Sequence, residues 1–191
     1  MMRRSFVALA AALLLAGCTG EPADDGGPAA APSTAVAPLT PCPEQPEAAA
    51  VGAQRLPALV FECPGGGSLD LARAPGVPMV VNLWGSWCPP CREEMPVLQE
   101  FAELAGDDVR MVGVISKDGL PQAASFAEDA GVTFPSAFDG EGELMAELGL
   151  NALPFTYFVD AGGALVHTEA GPVGSLDELR GLVAQHLGVQ L

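Results

Sequence analysis

The sequence predicts an α/β fold in which a mixed central sheet is flanked by helices. Three observations carry that expectation. Met79 to Trp84 is a nearly continuous apolar run rich in Val, as expected of a central strand covered on both faces. Strand-like and helix-like segments alternate from there to about Leu148, and the chain closes with a hairpin pattern followed by a capped helix.

Taken in order, Leu56 to Cys63 and Ser68 to Leu71 read as two strands around the turn Pro64-Gly65-Gly66-Gly67. After the central strand a helix is expected from about Pro90 to Ala105. Cys91, Met95, Leu98 and Ala102 fall on one face of it, and Arg92, Glu93, Gln99, Glu100 and Glu103 fall elsewhere. Val109 to Ile115 is the next strand, Pro121 to Ala130 a helix opened by a proline in its first turn, and Pro135 to Phe138 a short strand. Glu143 to Leu148 reads as a short helix stopped by Gly149. Phe155 to Asp160 and Ala164 to Glu169 form a hairpin around Ala161-Gly162-Gly163. Ser175 then caps a helix to about Leu187, with Glu178 completing a capping box.

The 191 residues suffice for one packed domain plus an appendage. A net charge of -16 with scattered basic residues leaves no cationic stripe for phosphates, which argues against nucleic acid, and anionic lipid would repel such a surface. Contact with a membrane therefore needs a dedicated device. Arg3 and Arg4 precede an apolar run from Phe6 to Ala16, too short to span a bilayer, and residues 1–17 read as a signal peptide. The segment from Cys18 to residue 54, rich in Ala, Pro, Gly and acidic residues, reads as a disordered linker, and 55–191 as the folded domain.

Five cysteines are an odd number for an exported chain. Cys88 and Cys91 are spaced as one redox pair, which leaves Cys42 and Cys63 as a second pair if Cys18 is modified. That second pair reads as a structural disulfide or as a secondary dithiol. A metal site built from all four is disfavoured, because zinc ribbons present two close-spaced knuckles and this chain has one.

Two stretches resemble known families. Leu15-Ala16-Gly17-Cys18 resembles the lipobox of bacterial lipoproteins, which implies a diacylglyceryl group on the Cys18 sulfur and anchorage at the outer face of the cell membrane. Arg3-Arg4-Ser5-Phe6 also resembles a loose twin-arginine signal, so the export route stays open. The run from Val80 through Trp84-Gly85-Ser86-Trp87-Cys88-Pro89-Pro90-Cys91 to Pro96, then Gly131 to Pro135, then Leu153-Pro154-Phe155 to Asp160, resembles the TlpA/ResA-like family within the redoxin branch of the thioredoxin superfamily. The resemblance implies a thioredoxin fold with an N-terminal β-hairpin and a central strand-helix insertion between Arg110 and Leu148.

The same resemblance implies a membrane-tethered thiol-disulfide oxidoreductase in which Cys88 attacks and Cys91 resolves, with no cofactor beyond that dithiol. It implies a cis Leu153-Pro154 bond beside the dithiol, and contact of Trp87, Pro89, Pro90 and Leu153 with substrate. Phe155 stands where the family often has Thr. Asn82 occupies the position of the acid that serves cytosolic thioredoxins, and asparagine takes no proton. Asp118 falls where the family places a substitute carboxylate, or else it makes a surface turn with Gly119. Glu93, Glu94 and Arg92 read as a solvated helix face. The partners implied are exported proteins with disulfides, apocytochrome c first among them, and a membrane thiol that donates electrons. A disulfide-forming oxidase on the same scaffold is the alternative. A peroxidase and a copper-binding module fit less well, since the cysteines are two residues apart and neither His167 nor His186 pairs with them.

Overall fold

The computed structural model describes residues 39–191, and the signal peptide, Cys18 and the first part of the expected linker lie outside the described residues. A hairpin comes first, β1 (Val60–Glu62) paired antiparallel with β2 (Ser68–Asp70). Next are β3 (Met79–Trp84), α1 (Pro89–Ala105), β4 (Arg110–Ser116), α2 (Leu120–Asp129), β5 (Ser136–Asp139) and α3 (Glu143–Glu147). The chain ends with β6 (Phe155–Val159), β7 (Leu165–Ala170) and α4 (Leu176–His186).

Five strands form one mixed sheet in the order β5-β4-β3-β6-β7. β3 runs parallel to β4 and antiparallel to β6, and β4 runs parallel to β5. All six residues of β3 are buried, as its unbroken apolar run requires when helices cover both faces. Trp84, Leu83, Leu98, Phe101, Phe158 and Leu179 lie at the centre of the core. Filling that core with apolar side chains at roughly 25 cal/mol per Å² of buried surface is the main stabilising term. This arrangement is a thioredoxin-like fold.

α1 begins with prolines at its first two positions, where no N-H is needed, and carries Pro96 in its interior. Its buried residues are Cys91, Glu94, Met95, Leu98, Phe101 and Ala105. Glu94 is thus not part of a solvated face, because its position one turn after Cys91 lies in the core stripe rather than beside Glu93. At α4 the Ser175 hydroxyl accepts the N-H of Glu178, while the Glu178 carboxylate accepts from Gly174, one residue earlier than a regular capping box.

The folded part also begins earlier than the expected boundary at residue 55. Cys42 and Ala50 are buried, Cys42 N-H donates to the Gly66 carbonyl, and Ala50 N-H donates to that of Ala72. Gln45 exchanges two hydrogen bonds with the Asp70 backbone. Gly65 has no room for a Cβ, which would meet the backbone of Leu39 and Thr40. A disulfide between Cys42 and Cys63, 21 residues apart, fastens the segment to the β1-β2 hairpin. In the loop-entropy picture it contributes roughly 3 kcal/mol. The composition of 39–54 is that of a linker, and what orders it is main-chain pairing and a covalent bond rather than apolar bulk.

Candidate functional site

The sheet brings three loops to one end. β3 and β4 are parallel, so the segments that follow them, Gly85 to Cys88 and Lys117 to Gly119, emerge side by side. β6 is antiparallel and pairs Phe155 with Leu83, so Leu153 and Pro154 arrive at the same end. Sequence positions far apart therefore meet where β3 gives way to α1.

Cys88 is the N-cap of α1 and is bonded to Cys91, with Cα atoms 5.3 Å apart. The Cys88 sulfur accepts the N-H of Cys91 at 3.3 Å. No acidic residue lies in the first turn of α1, so the positive end of the helix dipole falls on Cys88 uncompensated from within that turn. Both cysteines are buried, Cys91 entirely and Cys88 to 2 % exposure. The four cysteines 42, 63, 88 and 91 are joined as two separate disulfides.

Trp87 is the exposed aromatic of the site at 51 %, and its indole lies against Gly85, where a Cβ would come 2.6 Å from Nε1. Any larger residue at 85 displaces that ring. Trp84 is buried and packs on Phe126 with ring centroids 5.9 Å apart. The Leu153-Pro154 bond is cis, and both residues are buried. A groove of about 390 Å³ opens beside the loop, lined by Ser86, Arg92, Gln122, Ser125, Phe126 and Asp129. A larger hollow of about 510 Å³ sits at the other end of the sheet, near Gly106, Arg110 and Pro135, so size alone does not mark the site.

Between β3, α1 and β6 lies a buried polar network. Asn82 on β3 donates through Nδ2 to Glu94 Oε1 at 2.9 Å and to the Thr156 hydroxyl at 3.0 Å. The other Glu94 oxygen accepts the N-H of Val173 at 2.9 Å. Burial pushes the Glu94 carboxyl up from its usual 4.5 to about 7, against the opposing pull of the Val173 and Asn82 hydrogen bonds. A carboxyl with that value exchanges protons at neutral pH, which Asn82 cannot do. Sequence reasoning missed Glu94, although two signals were available. It stands three residues after Cys91, on the same face as Met95 and Leu98, and a buried Asn82 in an apolar strand needs a polar partner.

Asp118 sits at the same end of the sheet, half-buried. Its Oδ2 accepts the Ser86 N-H at 2.6 Å and its Oδ1 accepts the N-H of Gly119 at 2.8 Å. His167 and His186 stack 3.9 Å apart on β7 and α4, away from the β3-α1 junction.

The Redoxin family model matches residues 50–183. Over 105 residues the chain is 37 % identical to a thiol:disulfide interchange protein DsbE homolog of Paracoccus denitrificans, covering 54 % of this chain and 56 % of that one. It is 35 % identical over 97 residues to the thiol:disulfide interchange protein DsbE of Escherichia coli K12, covering 50 % and 51 %. The chain therefore spans about half the length of the curated relatives it matches. A secreted Mycobacterium tuberculosis disulfide oxidoreductase, described as homologous to E. coli DsbE, superposes with a TM-score of 0.59 at 27 % identity, covering 67 % of this chain and 96 % of that one.

Proposed function

Because the chain belongs to the Redoxin family, we propose that it is a thiol-disulfide oxidoreductase working outside the cytoplasmic membrane, in the reducing direction, on exported proteins. The observation that carries this reading is the dithiol at the tip of α1, with the Cys88 sulfur in the capping position. There the main-chain N-H and the dipole favour a thiolate over the ordinary thiol, whose pKa is near 8.5.

With the dithiol reduced, the Cys88 thiolate attacks one sulfur of the partner's disulfide. A Cys88-partner disulfide forms, and the partner's other sulfur leaves as a thiolate. Cys91 then loses its proton, with the Glu94 carboxylate as the buried acceptor nearest along α1, and attacks Cys88. The bond to the partner breaks, the partner leaves with two thiols, and the chain is left with the Cys88-Cys91 disulfide. A membrane thiol donor returns the two electrons. The groove lined by Ser86, Arg92 and Phe126 accommodates the substrate segment flanking the attacked sulfur. The resemblance carried by the Trp87 to Pro96 and Leu153 to Asp160 segments makes apocytochrome c the first substrate to test, and the Cys18 lipid would keep the domain at the outer face of the cell membrane.

The test is trapping. With Cys91→Ser the mixed disulfide cannot be resolved, so a reduced variant offered an oxidised apocytochrome c peptide should accumulate as a covalent adduct visible on non-reducing gels. A Cys91→Ser protein that turns over at the parent rate excludes the scheme. Direction is read from equilibrium with glutathione: a potential near about -270 mV agrees with a reductase, and one near about -120 mV replaces that reading with an oxidase.

A further inference from the structure

We infer that Asp118 is a positioning residue, which together with Arg92 grips the Ser86 backbone from two sides and so fixes the loop that presents Trp87 and Cys88. The inference deepens the oxidoreductase reading and rests on it for its functional consequence. Residues Gly85 to Trp87 belong to neither strand nor helix, and their main-chain polar groups must find partners outside a ladder. Ser86 finds both among charged side chains. Its N-H donates to Asp118 Oδ2 at 2.6 Å, and its carbonyl accepts from Arg92 Nη1 at 3.1 Å. Hydrogen bonds with one ionised partner are stronger than neutral ones, so this peptide is held by two of the stronger kind.

Each grip is itself anchored on the α2 region. The Arg92 guanidinium lies 4.3 Å from the ring centre of Phe126 on α2. Asp118 is carried by the turn from β4 into α2, whose preceding residue, Lys117, has φ of 52° and is the one non-glycine residue with positive φ among the described residues. A lysine there is strained, and such a conformation persists where its surroundings hold it. Lys117 N-H donates to the Asp139 carbonyl, and the Asp139 carboxylate in turn accepts from Glu143 and Leu144 at the start of α3. The strained turn thus aims Asp118 across to a peptide 32 residues earlier in the chain. Both of its oxygens are committed to main-chain N-H groups, Ser86 and Gly119, which is the arrangement of a clamp rather than of a proton carrier.

The experiment compares full-length Asp118→Ala and Asp118→Asn with the parent in three readouts: amide hydrogen exchange at Ser86, the rate of disulfide exchange with glutathione, and the pH midpoint of Cys91 alkylation. The alanine variant should expose the Ser86 amide, accelerating its exchange on the order of tenfold, and should slow glutathione exchange by a similar factor. The asparagine variant keeps one carbonyl acceptor and should recover the greater part of both, with the alkylation midpoint where the parent has it. If instead both variants move that midpoint equally, Asp118 is the proton acceptor and the inference falls. If the alanine variant matches the parent at the Ser86 amide and in exchange rate, Asp118 is a surface turn and the inference falls again. If the parent itself fails to exchange with glutathione, the oxidoreductase reading is what fails, and Ser86 protection still decides whether the clamp exists.

Discussion

The N-termini of α1 and α4 perform the same structural task with different atoms. At α4 the Ser175 hydroxyl accepts the Glu178 N-H at 3.2 Å, and at α1 the Cys88 sulfur accepts the Cys91 N-H at 3.3 Å. The surroundings differ in charge. α4 carries Asp177 and Glu178 in its first turn, so its dipole is already compensated, whereas the first turn of α1 holds prolines and a cysteine and no acid. A helix whose first turn holds no acid stabilises an anion at its cap, and here the capping atom is sulfur. The lesson is that a cap becomes a reactive centre through what is kept away from it as much as through the capping atom.

The largest effect expected from this comparison follows from making α1 resemble α4. Cys88→Ser replaces the sulfur with a hydroxyl that caps at least as well, so the melting temperature should hold, while disulfide exchange should fall by at least about a thousandfold because no thiolate remains outside Cys91. Exchange surviving in that variant would mean that the capping atom is not the nucleophile, and the contrast between the two helix ends would lose its meaning. A large loss of stability would mean that the Cys88-Cys91 bond is structural.

Glu94 joins the two ends, since it lies on α1 and accepts from Val173, two residues before the α4 cap. Its carboxyl is raised from 4.5 to about 7 in the folded chain. Between those values the folded protein holds a proton that the unfolded chain has released. Its contribution to stability is therefore fully present below pH 4.5 and is lost as pH climbs through 7, by up to about 3 kcal/mol. Glu94→Gln should flatten this slope in urea melts taken from pH 4.5 to 8, and should also flatten the pH dependence of Cys91 alkylation near neutrality. An unchanged slope in the variant would assign the pH response to another group and leave the two helix ends chemically independent.

Much of this was legible in the sequence, and the part that was not has identifiable physical reasons. The central strand was readable at Met79 to Trp84 because a buried strand has a continuous apolar run, and α1 was readable to within a residue from its periodicity. Cys88 and Cys91 stand three apart in one turn, so local spacing announced them. Glu94 was hidden by its type, because a run of charged residues suggests solvent while its helical position puts it under the sheet. Asp118 was found, but its partner Ser86 was not, since no periodicity relates a turn after β4 to a peptide 32 residues earlier. The order of residues 39–54 was legible only at one point, the Cys42-Cys63 pair, because the main-chain pairs that hold the rest are not encoded in composition.

The smallest expected effect tests the other side of the comparison. Ser175→Ala removes the α4 cap and leaves the Glu178 N-H without its acceptor, a change worth about 1 kcal/mol and a fall of a few degrees in melting temperature. Val173 lies two residues upstream and is buried, so its bond to Glu94 should survive the frayed turn. Exchange with glutathione should then stay within twofold of the parent. If that rate drops severalfold in a protein that is still folded, the α4 cap is transmitting order through Val173 and Glu94 to the dithiol, and the two helix ends form one unit instead of one structural and one reactive end.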